Sequence, residues 1–88
     1  MFKLSIVTPI KVFYDGEVRS IVAPGEVGYL GILSHHAPLI TALKPGRLTV
    51  RDVNDHTSEY DISGGFLEVS NNSASILADS IEPATKSR

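Results

Sequence analysis

The sequence predicts an all-β domain of eight to ten short strands, arranged as a closed or sandwiched antiparallel sheet. Apolar and polar residues alternate with a period of two through most segments, which is typical of strands with one buried face. Turn-forming residues also recur at short intervals along the 88 residues, and this leaves little room for helices.

The first strands follow from the alternation and from one turn signal. Phe2, Leu4 and Ile6 are separated by single polar residues, so they form the apolar face of the first strand. The stretch Lys11–Pro24 is predicted to form two strands joined by a hairpin at Asp15-Gly16, because Asp-Gly adopts the positive φ angles of a tight turn at little cost.

Later turns divide the rest of the chain into strands. Turns are predicted at residues 44–46 and 54–56, with Leu48 and Val50 on one face of the strand between them. Gly64-Gly65 predicts a bend or bulge, and Asn71-Asn72 predicts a turn between two strands.

Domain boundaries follow from the C-terminal pattern. Helical spacing after Ser73 competes with a strand, but the Asn71-Asn72 turn favours a returning strand that ends near Asp79. We therefore predict one domain over residues 1–80 and a flexible, polar C-terminal tail over residues 81–88, which Pro83 interrupts.

Composition excludes several classes of partner. The net charge is −2, so the chain lacks the cationic surface that nucleic acid requires. It has no Cys, which excludes disulfides and thiolate zinc sites. Its apolar runs are far shorter than the roughly twenty residues of a membrane-spanning helix, so direct membrane insertion is not expected.

Catalytic and metal-binding motifs are not recognisable. His35 and His36 are adjacent, and in an extended segment their side chains leave on opposite faces, so they cannot share one metal ion. No Ser lies in a nucleophile-elbow pattern, and Gly25, Gly28 and Gly31 do not precede a predicted helix that could hold a phosphate. We predict no catalytic, cofactor or metal site, although a ligand binder that uses its histidines stays open as an alternative.

A contact surface is the better interpretation of the segment that contains these histidines. Tyr29, Leu30, Ile32 and Leu33 cluster among glycines where a sheet is predicted to end, and the alternative for Leu30, Ile32 or Leu33 individually is that the side chain folds back into the core. An exposed apolar segment on a small domain usually marks an interaction site. A small β carrier domain of the biotinyl or lipoyl kind is a further alternative, although its lysine signature is missing.

The order and spacing of four blocks resemble a known family. These blocks are "VFYDGEV", "PGEVGYLGILSHHAPLITALKPG", "ISGGFLEV" and "SILAD". Together they are similar to the epsilon subunit of the F-type rotary ATP synthase. That family has a proline two residues before the His of "HAPL", where this chain has Ser34. His36 matches the family's histidine, and His35 has no implied role.

The resemblance implies an antiparallel β-sandwich of about ten short strands that serves as a non-catalytic rotor subunit of the central stalk. Such a subunit links gamma to the c-ring, couples ion-driven rotation to ATP synthesis and needs no cofactor. It would be a peripheral membrane protein on the cytoplasmic face of the bacterial inner membrane, or on the stromal side of the thylakoid in a plastid. Family members often continue into a C-terminal helical hairpin that in some binds ATP, and here neither the hairpin nor the ATP site is expected.

The resemblance also assigns residues to the two partners. The segment nearest the c-ring comprises Tyr29, Leu30, Gly31, Ile32, Leu33 and Ser34. The gamma contact comprises His36, Ala37, Pro38 and Leu39. Gly64, Gly65 and Glu68 match the second motif, for which a structural role is expected.

Overall fold

The computed structural model describes residues 1–84, which contain nine β-strands and no helix. The strands are β1 (Phe2–Thr8), β2 (Lys11–Gly25), β3 (Gly28–Ile32), β4 (Leu39–Leu43), β5 (Gly46–Asp52), β6 (Thr57–Ile62), β7 (Gly65–Ser70), β8 (Ser73–Ala78) and β9 (Ile81–Pro83). The predicted all-β fold is confirmed, and within these residues no helix is available that could cross a membrane.

The strands form one continuous sheet that folds back on itself as two layers. Strands β1, β8, β7 and β4 make one layer, and β3, β2, β5, β6 and β9 make the other. Strand β2 is 15 residues long and pairs first with β1 and then with β5 and β3, so it joins the layers along one side. The strand pairs are antiparallel except β1 with β8, which run parallel.

The hairpin predicted at Asp15-Gly16 is wrong. Both residues lie within β2, opposite Ser5 and Leu4 of β1. The chain turns instead at residues 9–10, where the Ile10 N–H donates to the Thr8 hydroxyl oxygen at 3.4 Å. A turn at Asp15-Gly16 would have left β1 without its antiparallel neighbour, so pairing along the whole of β1 overrides the local turn preference.

The other predicted turns agree with the backbone. Asn71 and Asn72 have φ angles of 52° and 57°, as a two-residue hairpin loop requires, and Asp55 has a φ of 67° in the turn between β5 and β6. Gly64 and Gly65 have φ angles of 130° and 143°, at the point where the chain bends into β7. These three turn and bend positions are therefore encoded locally.

The domain continues beyond the predicted boundary at residue 80. Strand β9 pairs with β6 in the register Ile62 to Ile81, and the Ala84 N–H donates to the Glu59 carbonyl oxygen at 2.9 Å. The prediction of a flexible tail from residue 81 is thus wrong for residues 81–84, because the free edge of β6 provides backbone partners. Residues 85–88 of the predicted tail lie outside the described residues.

The core lies between the layers and is wholly apolar. Leu4, Leu67 and Ile76 from the first layer are fully buried, as are Ile21 and Leu48 from the second. No polar or charged side chain is buried among the described residues. The predicted inward faces of β1 and β5 are confirmed.

Candidate functional site

The outer surfaces of the two layers differ in chemistry. On the outer surface of β5 and β6, Arg47 pairs with Glu59 at 3.3 Å and with Asp61 at 3.5 Å. Arg51 and Arg19 both lie 3.5 Å from an Asp55 carboxylate oxygen at the neighbouring turn. These side chains are well exposed, so the ion pairs belong to a solvated surface and contribute little stability.

The outer surface of the other layer carries a row of apolar side chains. Strand register places Val7 of β1 beside Leu77 of β8, Leu77 beside Phe66 of β7, and Phe66 beside Ala42 of β4. We call these four residues the apolar row. Phe66 and Leu77 are 56 % and 57 % exposed, so the row is open to solvent.

Apolar surface continues on two sides of this row. Ile40, on the next outward position of β4, is 74 % exposed and faces Glu68 across the strand pair. On the other side, a groove of about 410 Å³ runs along the row, and its lining residues are Val7, Thr8, Pro9, Phe66, Leu77, Ala78 and Asp79. Contiguous exposed apolar surface is typical of protein interaction sites, so this side of the sandwich is the candidate contact surface.

The sequence contains a signal for this surface that lies outside its recognised motifs. A strand with one wet face should not place two large apolar residues next to each other. Phe66-Leu67 and Ile76-Leu77 both do so, and in each pair one side chain is buried while the other is exposed. Adjacent apolar residues within a strand thus indicate an outer apolar surface.

The residues predicted to face the c-ring do not form one surface. Tyr29 is exposed at the start of β3, where its hydroxyl oxygen accepts a hydrogen bond from the Arg47 N–H at 3.1 Å. Leu30 is half-buried against the core, and Ile32 is 1 % exposed. For Ile32 the structure therefore supports the alternative of a core position, because its side chain points between the layers.

Residues 33–38, which we call the crossover loop, connect the two layers at the opposite end of β3. The His36 N–H donates to the Leu33 carbonyl oxygen at 3.2 Å, so Leu33–His36 form a β-turn with Ser34 and His35 at its centre. Leu33 is 66 % exposed on this turn. Leu39 begins β4 and packs against the core, while the next residue, Ile40, points outward.

His36 makes a side-chain contact within the crossover loop, and His56 lies apart from it. Nδ1 of His36 lies 2.7 Å from the Ala37 carbonyl oxygen, which can only accept, so Nδ1 carries the proton in this contact. When the ring is neutral, Nε2 of His36 is thus an acceptor for a partner group. His56 lies elsewhere, 3.9 Å from Asp52, and among residues 1–84 no three His, Asp or Glu side chains are grouped to hold a metal ion.

The second predicted motif divides into structural and surface residues. Gly64 is buried, and its carbonyl oxygen accepts the Asp79 N–H at 3.0 Å. A Cβ on Gly65 would overlap the Leu77 carbonyl group, so only glycine fits there. Glu68 is exposed beside Ile40 on the outer surface, and a structural role for it stays a prediction.

Comparisons with known proteins agree with this architecture. Residues 1–84 match the family described as the ATP synthase Delta/Epsilon chain, beta-sandwich domain. The chain is 45 % identical over 80 residues to the ATP synthase epsilon chain of Chlorobium limicola, and the match covers 91 % of each chain. It is 49 % identical over 82 residues to that of Desulforamulus reducens, covering 93 % of this chain and 61 % of the relative.

Solved structures show the same fold. A chain in the OSCP/F1/c-ring structure of the Euglena gracilis mitochondrial ATP synthase matches with a TM-score of 0.89 and 25 % identity, over 93 % of this chain and 52 % of the other. A chain from the central stalk/c-ring structure of the Tetrahymena thermophila mitochondrial enzyme matches with a TM-score of 0.79 and 22 % identity, over 93 % and 66 %. These matches are inconsistent with an unrelated carrier or ligand-binding domain.

Proposed function

Because the chain belongs to the family of the ATP synthase delta/epsilon chain β-sandwich domain, we propose that it is a non-catalytic rotor subunit of the central stalk. In this proposal it binds gamma and the c-ring together and couples ion-driven rotation to ATP synthesis. It is then peripheral to the membrane, held there by its partners, on the cytoplasmic side in a bacterium.

The apolar row is the observation that carries this proposal, and we assign it to gamma. Its exposed side chains project from paired strands, whereas the opposite outer surface is covered by solvated ion pairs. Glu68 and Ile40 lie beside the row, on the side toward Leu39 and the crossover loop. In this proposal the gamma contact predicted at His36–Leu39 therefore extends onto this surface. A specific contact needs about 800 Å² per partner, which fits a domain with 5358 Å² of accessible surface.

We assign the c-ring contact to the turn between β2 and β3. Val27 is fully exposed in this turn, and Tyr29 is exposed just after it. At this end of the sandwich the Glu26 N–H donates to the Ala42 carbonyl oxygen at 3.1 Å. The turn therefore adjoins the apolar row without belonging to it. Leu33 and Ser34, predicted for the same contact, lie at the other end of β3 and join the gamma side in this proposal.

The test is calorimetry of the chain against gamma from the same source. We expect one-to-one binding, and we expect the double variant Phe66→Ser with Leu77→Ser to weaken it at least about 30-fold, because central apolar contacts each contribute about 1–2 kcal/mol or more. The variant His36→Ala with Leu39→Ala should weaken binding as well, although Leu39 also packs on the core. Val22→Ser is the matched control, because Val22 is an exposed apolar residue on the other layer.

The outcomes test the rotor function and the assignment of the apolar row to gamma separately. Absence of binding by the unaltered chain would contradict the rotor function. Unchanged affinity of the Phe66→Ser, Leu77→Ser variant would contradict the assignment of the apolar row to gamma. Thermal unfolding of each variant provides the folding control, since both side chains are more than half exposed.

A further inference from the structure

The side chain of Asn72 joins three parts of the chain that are distant in sequence. Its Oδ1 accepts the His35 N–H at 2.7 Å, and its Nδ2 donates to the Met1 carbonyl oxygen at 2.9 Å. Asn72 itself lies in the turn between β7 and β8. One amide group therefore ties the crossover loop and the start of β1 to this turn.

The crossover loop needs such a contact because its own turn residues hold it weakly. In the β-turn Leu33–His36, His35 is the third residue and has a φ of 61°, a conformation that favours glycine. The second residue is Ser34, at the position where proline would fix φ. Neither central residue has the backbone restriction that stabilises this turn, so a bond from outside has a large share in holding it.

Asn72 is also an unusual choice at its own position. Asn71 and Asn72 have φ angles of 52° and 57°, the pattern of a type I′ turn, in which glycine is preferred at the second central residue. Asn tolerates this conformation, and unlike glycine it brings a side-chain amide. At this position the amide reaches both the His35 N–H and the Met1 carbonyl.

We propose that Asn72 is a positioning residue that holds the crossover loop in the conformation that binds gamma. The inference rests on the proposed function and deepens it. Asn72 acts through His35, whose backbone it fixes, and thereby sets the orientation of the His36 ring and the position of Leu33. A loop that is already ordered loses less conformational entropy on binding, so Asn72 raises affinity without needing to contact the partner.

Hydrogen exchange in the free chain tests the positioning directly. In Asn72→Gly the turn keeps a residue suited to its backbone, so the fold is retained while both side-chain bonds are lost. We expect the His35 amide to exchange at least about 10-fold faster, because it loses its hydrogen-bond acceptor. Asn71→Gly is the matched control, because Asn71 has the same backbone conformation but an exposed side chain.

A conservative variant separates the two bonds of Asn72. Asn72→Asp retains an oxygen that accepts the His35 N–H but cannot donate to the Met1 carbonyl. We expect it to restore slow exchange at His35. If loosening of the N-terminus caused the effect instead, Asn72→Asp would exchange as fast as Asn72→Gly, and this result would overturn the proposal.

Binding to gamma then tests the consequence for function. We expect Asn72→Gly to raise the Kd about 3- to 10-fold by calorimetry, and Asn72→Asp and Asn71→Gly to leave it within about 2-fold. Faster exchange at His35 with an unchanged Kd would overturn the role in binding. Absence of binding by the unaltered chain would instead contradict the rotor function, and the exchange data would still decide whether Asn72 holds the loop.

Discussion

Replacing Gly65 with alanine should destabilise the domain far more than the addition of one methyl group suggests. Gly65 begins β7 with a φ of 143°, a region that residues with a Cβ rarely adopt. A Cβ at this position would also overlap the carbonyl group of Leu77 and come within 3.0 Å of the Ala78 Cα. Both obstacles are backbone atoms of the paired strand β8, so no side-chain rotation relieves them.

The two effects can be estimated separately. Backbone strain of this kind costs about 1–3 kcal/mol, and overpacking against fixed neighbours costs about another 1–3 kcal/mol. The sum is about 2–6 kcal/mol, against a total free energy of unfolding of about 4–13 kcal/mol for a chain of this length. We therefore expect Tm to fall by at least about 8 °C, since each kcal/mol shifts it by about 4–8 °C in a domain of this size.

Two other glycines provide controls that separate strain from overlap. Gly28 has the same φ of 143°, but a Cβ there would meet nothing within 4 Å, so Gly28→Ala should show the strain alone. A Cβ on Gly31 would lie 4.0 Å from its nearest contact, the Ile21 carbonyl oxygen, so Gly31→Ala should leave stability nearly unchanged. Urea unfolding of the three variants measures the cost of strain and the cost of overlap separately. Equal losses for Gly65→Ala and Gly28→Ala would refute the overlap, and a Gly28→Ala variant as stable as Gly31→Ala would refute the strain.

Three further predictions concern stability and its dependence on pH. The backbone N–H of His56 donates to the Asp52 carboxylate and lowers the pKa of Asp52 in the folded chain. The carboxylate therefore stabilises the fold above the unfolded pKa of about 3.9. This contribution is lost as the pH falls through the lower folded pKa. Asp52→Asn should therefore reduce the difference between the urea midpoints at pH 7 and pH 3. Leu48→Ala, at a fully buried position, should cost about 2–5 kcal/mol in urea unfolding. Tyr29→Phe removes the acceptor of the Arg47 N–H and should cost about 0.5–1.5 kcal/mol, measured by thermal unfolding.

Local sequence signals were sufficient for most elements of the fold. The alternation in β1 predicted its buried face, and Asn71-Asn72 predicted a hairpin turn, because both depend on residues that are close in sequence. The Asp15-Gly16 signal failed because the length of β2 is set by its pairing with β1, a contact that no local pattern describes. The parallel pairing of β1 with β8 was not predicted for the same reason, since it joins residues about seventy positions apart.

The candidate site was predictable only in part, for a related reason. Motifs indicated the segment Tyr29–Leu39, but they could not show that β3 carries Tyr29 and Leu33 to opposite ends of the sandwich or that Ile32 points inward. The apolar row joins residues from four strands, so it exists only once the register is known. Single strands reveal no more than an apolar residue on the wet face, such as Phe66.

In the proposed function, the strands of the apolar row provide both stability and a docking surface. Leu67 and Ile76 point into the core, whereas their neighbours Phe66 and Leu77 point outward from the same two strands. The outward side chains are therefore spaced by the strand pairing, about 4.8 Å apart from strand to strand, and the buried neighbours hold the backbone that carries them. Such a surface is ordered before a partner arrives, so little entropy is lost in the backbone on binding. Because core and docking residues alternate along each strand, outward substitutions should change affinity and inward substitutions should change stability, with little overlap between the two effects.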